Sequence, residues 1–571
     1  MGLARRRGFF WPSAELYGGV SGFLDFGPLG VALKRKIEEK WRRWFVLRHQ
    51  DFIVEVETPV IVPEAVLKAS GHVDHFTDYA VSCIDCGRKY RADHVIEEAT
   101  RLKGLEGLSA EELSRLMEER GVRCPECGGR LGKVYSFNLL FKTSIGPYVE
   151  NVAYARPEAA QGMFVNFNKV LRVMRGKLPL GIAQVGRVLR NEISPRQGPI
   201  RLREFTIMEV ELFFDPQNPS CPLLNEVADV ELPLLTEEDV KAELSEPRRV
   251  KAREAVEEGL IKTEWNAYFM ALSKAFLESL GVPAESQRFV AKLPGERAHY
   301  AAQVYDQLVK LERWGWVEVS GHAYRTDYDL RRHMEASGQD LRVYAGPEAA
   351  SASRRLVVKP LVEALRASFG SEADRVLREL SKLEASRVED ELKSKGFVEV
   401  GGFKLTRQHV EVREEEAKGA GRRFISHVAE PSFGAERLIY VTMEYAYTER
   451  EGRVVLKLPV DVAPIDSVVL PLVSRDGLPE LARRVYRLLA DAGLRVEYDE
   501  SGSIGRRYAR ADEVGVPIAV TVDHQSLADG TVTLRDRDTW RQVRAPIEGL
   551  PETLKSYLSG RLSFEKLGVP L

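Results

Sequence analysis

Apolar residues recur at helical spacing over 31–47, where Val31, Leu33, Ile37, Trp41, Trp44 and Phe45 stand among Lys and Arg, and this predicts a long amphipathic helix. An apolar-rich strand and turn are expected next, over 52–63. Residues 82–133 carry paired cysteines and a charged helix-like stretch at 109–119, the pattern of an insertion. Strand-like runs return at 182–190 and 205–214. At 225–259 and 346–421 the chain turns rich in Glu, Lys, Arg and Ala with helical periodicity, so both segments are expected to be peripheral insertions. Beyond a linker at 459–464 the pattern alternates: strand 467–473, helix 481–492, strand 494–498, helix 504–514, strands 517–522 and 531–534, and a last helix near 551–558. Such alternation predicts a compact α/β domain with a mostly parallel sheet.

Composition narrows the class. With 571 residues, 44% hydrophobic and 29% charged, the chain suits a soluble globular protein of roughly three or four domains. A net charge of −2 leaves nucleic-acid contacts to local patches. No stretch approaches the ~20 apolar residues of a membrane helix, and Arg5, Arg6 and Arg7 precede only Phe9, Phe10 and Trp11 before Pro12, too short for a signal segment. A cytoplasmic location and no membrane partner are expected. No internal repeat and no G-x-x-x-x-G-K-[ST] phosphate loop occurs, so a nucleotide must be held by another device.

Of the five cysteines, Cys83 and Cys86 form one C-x-x-C, Cys124 and Cys127 another, and Cys221 stands alone. Two such pairs supply the four sulfurs of a tetrahedral zinc site, with unmetallated thiols and redox chemistry as the alternatives. Four sulfur ligands leave no open coordination position, so a zinc ion there would stabilise an insertion without catalysing.

Three stretches carry chemistry. The loop between the strands at 182–190 and 205–214 presents Arg190, Arg196, Arg201 and Arg203 with Gly198 and Pro199; guanidinium forks match phosphate oxygens, although a solvated hairpin with incidental arginines reads the same way. Along 205–213 alternation puts Phe205, Ile207, Glu209, Glu211 and Phe213 on one face. On an exposed sheet these carboxylates mean solubility; lining a pocket, they would bind an ammonium group, with Glu158 of Arg156-Pro-Glu158 available for the same purpose. The third stretch, Glu430-Pro-Ser-Phe-Gly-Ala-Glu-Arg437 before an apolar run, reads as a strand end delivering a helix whose first turn carries Arg437.

In this order these stretches resemble the motifs of class II aminoacyl-tRNA synthetases, and in detail the glycyl-tRNA synthetases of the dimeric archaeal and eukaryotic kind. Motif 1 is matched by the Trp41 helix and the strand ending at Pro59, motif 2 by Arg190-Asn-Glu192 through Phe205, and motif 3 by Gly434 to Arg437. Phrases typical of the glycyl family recur along nearly the whole chain, including Tyr90-Arg-Ala-Asp-His94, Ser136-Phe-Asn138, Phe141-Lys-Thr143, Glu192-Ile-Ser-Pro-Arg196, Glu430-Pro-Ser-Phe-Gly434 and Gly502-Ser-Ile-Gly-Arg-Arg-Tyr-Ala-Arg510. The two C-x-x-C pairs rest on spacing more than on this resemblance.

The resemblance implies an α/β chain: an α+β catalytic domain with an antiparallel sheet flanked by helices, dimerising through motif 1, and a C-terminal α/β anticodon-binding domain. The expected organisation is catalytic domain at 1–81, 136–224, 301–345 and 422–461, a zinc-ribbon-like insertion at 82–135, a helical insertion at 225–300, a second insertion at 346–421 and the anticodon-binding domain at 462–571. It implies glycine, ATP with Mg2+ and tRNA(Gly) as substrates and partners, with aminoacyl transfer to the 3′-terminal adenosine. Arg190, Glu318 and Arg437 would be catalytic. Arg190, Asn191, Glu192, Arg201, Leu202, Arg203, Phe205, Glu318, Val319 and Arg437 would bind ATP, and Arg91, Glu158, Glu209, Arg325, Glu430, Pro431 and Ser432 would bind glycine. Cys83, Cys86, Cys124 and Cys127 are the candidate zinc ligands. His322 and His427 are expected to be structural. Glycine has no smaller competitor, so steric exclusion suffices and no editing domain is expected. In the C-terminal part Arg483, Arg484, Arg487, Arg506, Arg507, Arg510, Arg535 and Arg537, interleaved with Tyr498, Tyr508 and Trp540, suit phosphates and splayed bases. Two competitors are another class IIa synthetase and a catalytically inactive synthetase-like nucleic-acid-binding subunit; the glycyl-type phrases oppose the first and the intact ATP residues the second.

Overall fold

The structure is a computed structural model that describes residues 1–102, 104–147, 149–195, 198–345, 354–416 and 421–571. Arg196, expected in the phosphate-binding loop, lies outside the described residues, as do 346–353 and 417–420 of the 346–421 segment.

Among the described residues the largest sheet has nine strands: β1 (Ile53–Glu55), β2 (Leu180–Leu189), β3 (Glu204–Phe214), β4 (Glu231–Leu235), β5 (Arg248–Lys251), β6 (Gln287–Ala291), β7 (Gln303–Leu311), β8 (Gly315–Thr326) and β9 (His427–Gly434). Their order in space is β5-β4-β6-β7-β8-β9-β3-β2-β1. Neighbours run antiparallel except β1 with β2 and β4 with β6. Helices α1 (Pro28–Phe45), α2 (Ala160–Val173), α3 (Glu264–Ser279), α4 (Tyr328–Ser337) and α5 (Ala435–Ala446) flank it. Pro28 opens α1, where the missing N–H costs nothing, and the apolar stripe Leu33, Ile37, Trp41 and Phe45 is fully buried. Phe45 packs against Phe433 of β9 and Phe276 of α3, with ring centroids 4.9 and 5.6 Å apart. One face of the central strands is therefore sealed by α1 and α3, and strand alternation turns Glu430 and Ser432 to the other face.

The expected placement of 225–300 as a peripheral helical insertion is corrected. Strands β4, β5 and β6 complete the main sheet, and α3 buries Trp265, Tyr268, Phe269, Met270, Phe276 and Leu277 in the main core. Charge in this stretch concentrates in two short rim helices, Glu237–Lys241 and Ala252–Glu257, which explains its polar look in sequence.

Residues 342–425 form a separate compact unit, with helices Val362–Phe369, Ala373–Leu380 and Ala385–Lys395 around a core of Leu365, Val376, Val388, Val398, Leu405 and Val410. The cysteine-bearing segment also has a core of its own, with Val81, Ile96, Leu113 and Met117 beneath helices Ala92–Thr100 and Ala110–Glu119; the second helix starts with a Ser109–Glu112 capping box.

Near the C-terminus β10 (Ser467–Pro471), β11 (Val496–Tyr498), β12 (Ile518–Val522), β13 (Thr531–Asp536), β14 (Gln542–Pro546) and β15 (Val569–Pro570) form a sheet of order β11-β10-β12-β13-β14-β15, with helices α6 (Leu478–Asp491), α7 (Ile504–Glu513) and α8 (Leu550–Leu558). Only β11, β10 and β12 are parallel; β12 to β15 run antiparallel. The mostly parallel sheet expected here is thus half right, because parallel pairing needs a helical crossover and these end after β12.

Candidate active site

The open face of β3, β8 and β9 floors a cleft of about 300 Å³. Two chemically opposite ends meet in it. At the cationic end β2 delivers Arg190 and β3 begins with Phe205; the Arg190 guanidinium lies 5.4 Å from the Phe205 ring centroid and donates to the Pro157 carbonyl at 3.0 Å. Arg201 pairs with Glu192 at 3.1 Å. Arg437, in the first turn of α5, donates to the Ile200 and Glu318 carbonyls at 2.9 and 2.8 Å and lies 3.4 Å from the Glu318 carboxylate. Arg190, Glu192, Arg201, Leu202, Phe205, Glu318, Val319 and Arg437 all line the cleft. Asn191 and Arg203 do not. The Asn191 N–H binds the Leu139 carbonyl, and Arg203 clamps the Glu192 and Ser21 carbonyls, so it shapes the loop instead of facing its contents.

Glu318 faces the cleft because of a bulge. Gln307 pairs with Ser320 but Leu308 pairs with Glu318, so β8 carries one extra residue there. Asp306 pairs with Gly321, and the bulge brings Glu318 onto the face shared by Asp306, Gly321 and Arg325; regular alternation would have sent it into the core. Asp306, which the sequence reading missed, lies 3.0 Å from Lys292. Burial and the neighbouring Glu318 push its carboxyl up to about 7. Glu318 is part-exposed at the cleft, and Arg437, Lys292 and Arg190 outweigh its desolvation and hold that carboxyl below its ordinary value.

At the acidic end Glu158, Glu209, Glu430 and Ser432 line the cleft. Register places Glu209 opposite Ser432, whose hydroxyl donates to it at 3.0 Å, and the Ala159 N–H donates to its other oxygen at 3.0 Å. The strand carrying Glu209 and Glu211 is buried on both faces, so these are not solubility charges. Burial first, then Glu430 and Glu158, push Glu209 up to about 8. Glu158 is held well below its ordinary value despite burial, because His72 and Arg325 lie beside it. Burial raises Glu430, although Arg325 donates to it at 3.0 Å.

Arg325 is not a direct cleft contact. It is 1% exposed beneath the acidic floor, reaching Asp329 at 2.9 Å and Glu158 at 3.3 Å under the ring of Tyr300, whose centroid is 3.7 Å away. Pro431 points to the core side, opposite His322. Arg91 lies outside the cleft, paired with Asp93 at 2.8 Å and Asp78 at 3.4 Å, and borders a smaller pocket with His94, Ser194 and Arg201. Asp329, Tyr300 and Lys292 escaped the sequence reading because no motif spacing singles them out. His322 packs between Phe289 and Phe433 and burial pushes it down to about 3, while His427 bonds the Tyr324 hydroxyl at 2.6 Å; both histidines have structural partners.

The four paired cysteines come together. Cys83 and Cys127 sulfurs are 3.5 Å apart, Cys86 and Cys124 3.7 Å, and all four lie within 4.8 Å of one another. Ligands at the Zn–S distance of ~2.3 Å in a tetrahedron are ~3.8 Å apart, so the donor set fits zinc. Each pair sits on a tight knuckle in which Gly87 or Gly128, at φ 71° and 70°, donates its N–H to the carbonyl of Cys83 or Cys124.

The C-terminal arginines divide. Arg483, Arg484, Arg487 and Arg506 are exposed. Arg507, Arg535 and Arg537 are buried: Arg507 binds the Pro471 and Gly502 carbonyls, Arg535 makes two bonds to Asp512 at 2.9 and 3.0 Å, and Arg537 holds the Gly515 and Leu458 carbonyls. Arg510 pairs with Asp499. The three buried arginines are structural, a correction to their expected role on phosphates, while Arg510 stays part-exposed.

A family model described as an anticodon binding domain matches residues 466–557. A solved structure of prolyl-tRNA synthetase from Cryptosporidium parvum is similar over 98% of this chain and 76% of its own, with a TM-score of 0.50 and 13% identity, which speaks to the fold alone. Glycine--tRNA ligase from Aeropyrum pernix is 54% identical over 100% of this chain and 98% of its own length. Those of Pyrococcus horikoshii and Methanothermobacter thermautotrophicus are 46% and 45% identical over 98% and 97% of this chain, each over 98% of its own length. At such identity over its full length, on a cleft that joins a cationic nucleotide end to an acidic amino-acid end, the chain belongs to the glycine--tRNA ligase family.

Proposed function

We propose that the cleft activates glycine with ATP and passes the glycyl group to the 3′-terminal adenosine of tRNA(Gly). The observation that carries this reading is the continuity of the two ends: Arg190, Phe205 and Arg437 open directly onto Glu158, Glu209, Glu430 and Ser432. Phe205 and Arg437 sandwich the adenine, the Glu192 carboxylate accepts from its amino group, and Arg201 with the Leu202 backbone steadies the nucleotide. Arg190 neutralises the α-phosphate. The glycine ammonium sits among Glu158, Glu209, Glu430 and Ser432, which points its carboxylate at the α-phosphorus. In-line attack expels pyrophosphate, and the tRNA ribose hydroxyl then displaces AMP. Neither step needs a protein nucleophile, so catalysis is orientation and charge stabilisation.

Asp306 and Glu318, two cleft carboxylates on adjacent strands, fit a divalent cation and would hold Mg2+ against the nucleotide phosphates. Bound there, magnesium would neutralise charge on the leaving pyrophosphate. Zinc on the four cysteines would hold 82–135 together. The dimer through the α1 region and the binding of tRNA to the C-terminal domain belong to the same proposal.

An ATP–pyrophosphate exchange assay across the twenty amino acids tests it. Exchange with glycine alone is expected. Exchange driven by another amino acid, or none at all, refutes the reading.

A further inference from the structure

Glu211 is the residue behind the acidic floor that the reaction scheme leaves unused. It follows Glu209 by two on β3, shares its face, and is completely buried. Register places it beside Glu430 on β9, since Glu209 faces Ser432 and Leu212 faces Ala429. Oxygens of Glu209, Glu211 and Glu430 all lie within 4.8 Å of one another.

Charge around it is lopsided. Glu209, Glu430, Glu158 and Asp329 face the same small volume; His72 lies 3.4 Å from Glu158, and the cation that approaches Glu211 is Arg325. That guanidinium is committed to Asp329, Glu430 and Glu158 by hydrogen bonds and approaches Glu211 only to 3.9 Å. Ile182 is the β2 neighbour of Glu211 and supplies no polar side chain. Both Glu211 oxygens are without a hydrogen-bond partner among the described residues. A buried carboxylate with no protein donor among the described residues, next to two others, is an unfavourable state for such a group. A metal ion would also relieve the charge, but it would sit against the Arg325 guanidinium, which is bonded to Glu430 at 3.0 Å and lies 3.9 Å from Glu211. A proton relieves it without further space, and turns the orphaned acceptor into a donor with acceptors on two sides.

We propose that Glu211 is a positioning residue: a carboxylic acid that stays protonated and donates its O–H to the Glu430 carboxylate, fixing that carboxylate toward the substrate amino group. This rests on the reading of the acidic end as the ammonium pocket. Burial and the charges of Glu430 and Glu209 move Glu211 in the required direction, well above its ordinary value, with only Arg325 opposing. Chemically, the pocket then presents fewer charges than its carboxyl count suggests, which suits one ammonium group and not a divalent metal.

The test pairs spectroscopy with kinetics. Infrared spectra of the wild-type protein minus Glu211→Gln are expected to show a protonated-carboxyl C=O band, shifted in D2O and still present in the wild type at neutral pH, where an ordinary glutamic acid is ionised. Glutamine also donates a hydrogen bond, so Glu211→Gln should keep the glycine KM within about threefold, whereas Glu211→Leu should raise it about tenfold with the ATP KM unchanged, the effect of one hydrogen bond to a charged group. Absence of the band overturns the proposal, as does loss of glycine affinity in Glu211→Gln equal to that in Glu211→Leu. Metal analysis finding a cation lost in Glu211→Gln overturns it too. Because Glu209 and Asp306 also hold protons near neutral pH, the band is assigned by difference; should Glu211→Gln fail to fold, wild type minus Glu211→Leu decides, and a wild-type band that survives in that variant overturns the proposal. Failure of the wild type to exchange with glycine would sink the pocket reading while leaving the protonation of Glu211 measurable.

Discussion

At the residue scale the decisive feature is how one cleft sets different states on like groups. Glu158, beside His72 and Arg325, is held as a carboxylate, while burial and its acidic neighbours carry Glu209 to about 8. An ammonium arriving at Glu209 must therefore displace a proton at neutral pH. The glycine KM is expected to fall by up to about tenfold per unit as pH rises toward 8, and Glu209→Gln should flatten that profile while raising the KM itself; a profile unchanged in the variant refutes the assignment. The stability contribution runs the other way with pH. Because folded Glu209 holds its proton more tightly than the unfolded chain does, its contribution is full below the ordinary glutamate value of about 4.3 and is lost as pH rises through about 8. Arg535 makes the opposite point: an arginine that looked like a phosphate ligand is a buried counter-ion of Asp512. Arg535→Ala should destabilise the protein by about 3–5 kcal/mol in denaturant unfolding, by stranding a buried carboxylate, whereas Arg484→Ala, at an exposed site, should leave unfolding unchanged and weaken tRNA binding.

At the element scale, strand register does what spacing alone cannot. The sequence identified β2 and β3 to within a few residues, because their apolar runs and the intervening arginine-rich loop are local signals, and the end of β9 before the Arg437 helix. It also put Glu209 and Glu211 on one face by simple alternation. It missed that one extra residue in β8 turns Glu318 outward beside Asp306, since a bulge depends on pairing with β7 and leaves no mark on composition. The cysteine knuckles lie at the other extreme: the spacing of Cys83, Cys86, Cys124 and Cys127 foretold a convergence of four sulfurs because each knuckle is a local turn. Purified protein is expected to contain about one zinc ion per chain, and its chelation should open 82–135 to proteolysis while glycine-dependent exchange persists. Metal-free protein with the segment still resistant would refute a structural zinc.

At the scale of the whole molecule, the C-terminal domain is joined to the catalytic part by polar ties and by a small apolar contact, Leu29 of α1 against the cluster of Ile465, Val468, Leu470, Ala511, Val514, Val516 and Ala519. Glu513 pairs with Arg6 and Arg7, Asp466 with Lys36, Asp461 with Lys40 at 2.7 Å, and Arg537 holds the Leu458 carbonyl at 2.8 Å. Leu456, Leu458, Val462 and Ala463 pack into the main core, while the residues from Val469 onward form their own. Truncation after Pro464 is thus expected to spare ATP–pyrophosphate exchange and to abolish most tRNA charging; loss of both together would show that the ties are needed for the cleft itself. Long polar stretches misled the sequence reading here. Residues 225–300 looked peripheral because their rim helices are charged, yet their buried strands and α3 complete the main sheet. By itself the sequence determined the local devices: the Trp41 helix, the arginine loop between strands, the carboxylates on one strand face, the two cysteine knuckles and the family that carries them together. Only the tertiary structure decided which charges are buried against which. Whether an arginine meets solvent or Asp512, whether Glu318 faces the cleft, and how few cations Glu211 sees all depend on residues far apart in the chain, where pairing and desolvation, not spacing, set the energy.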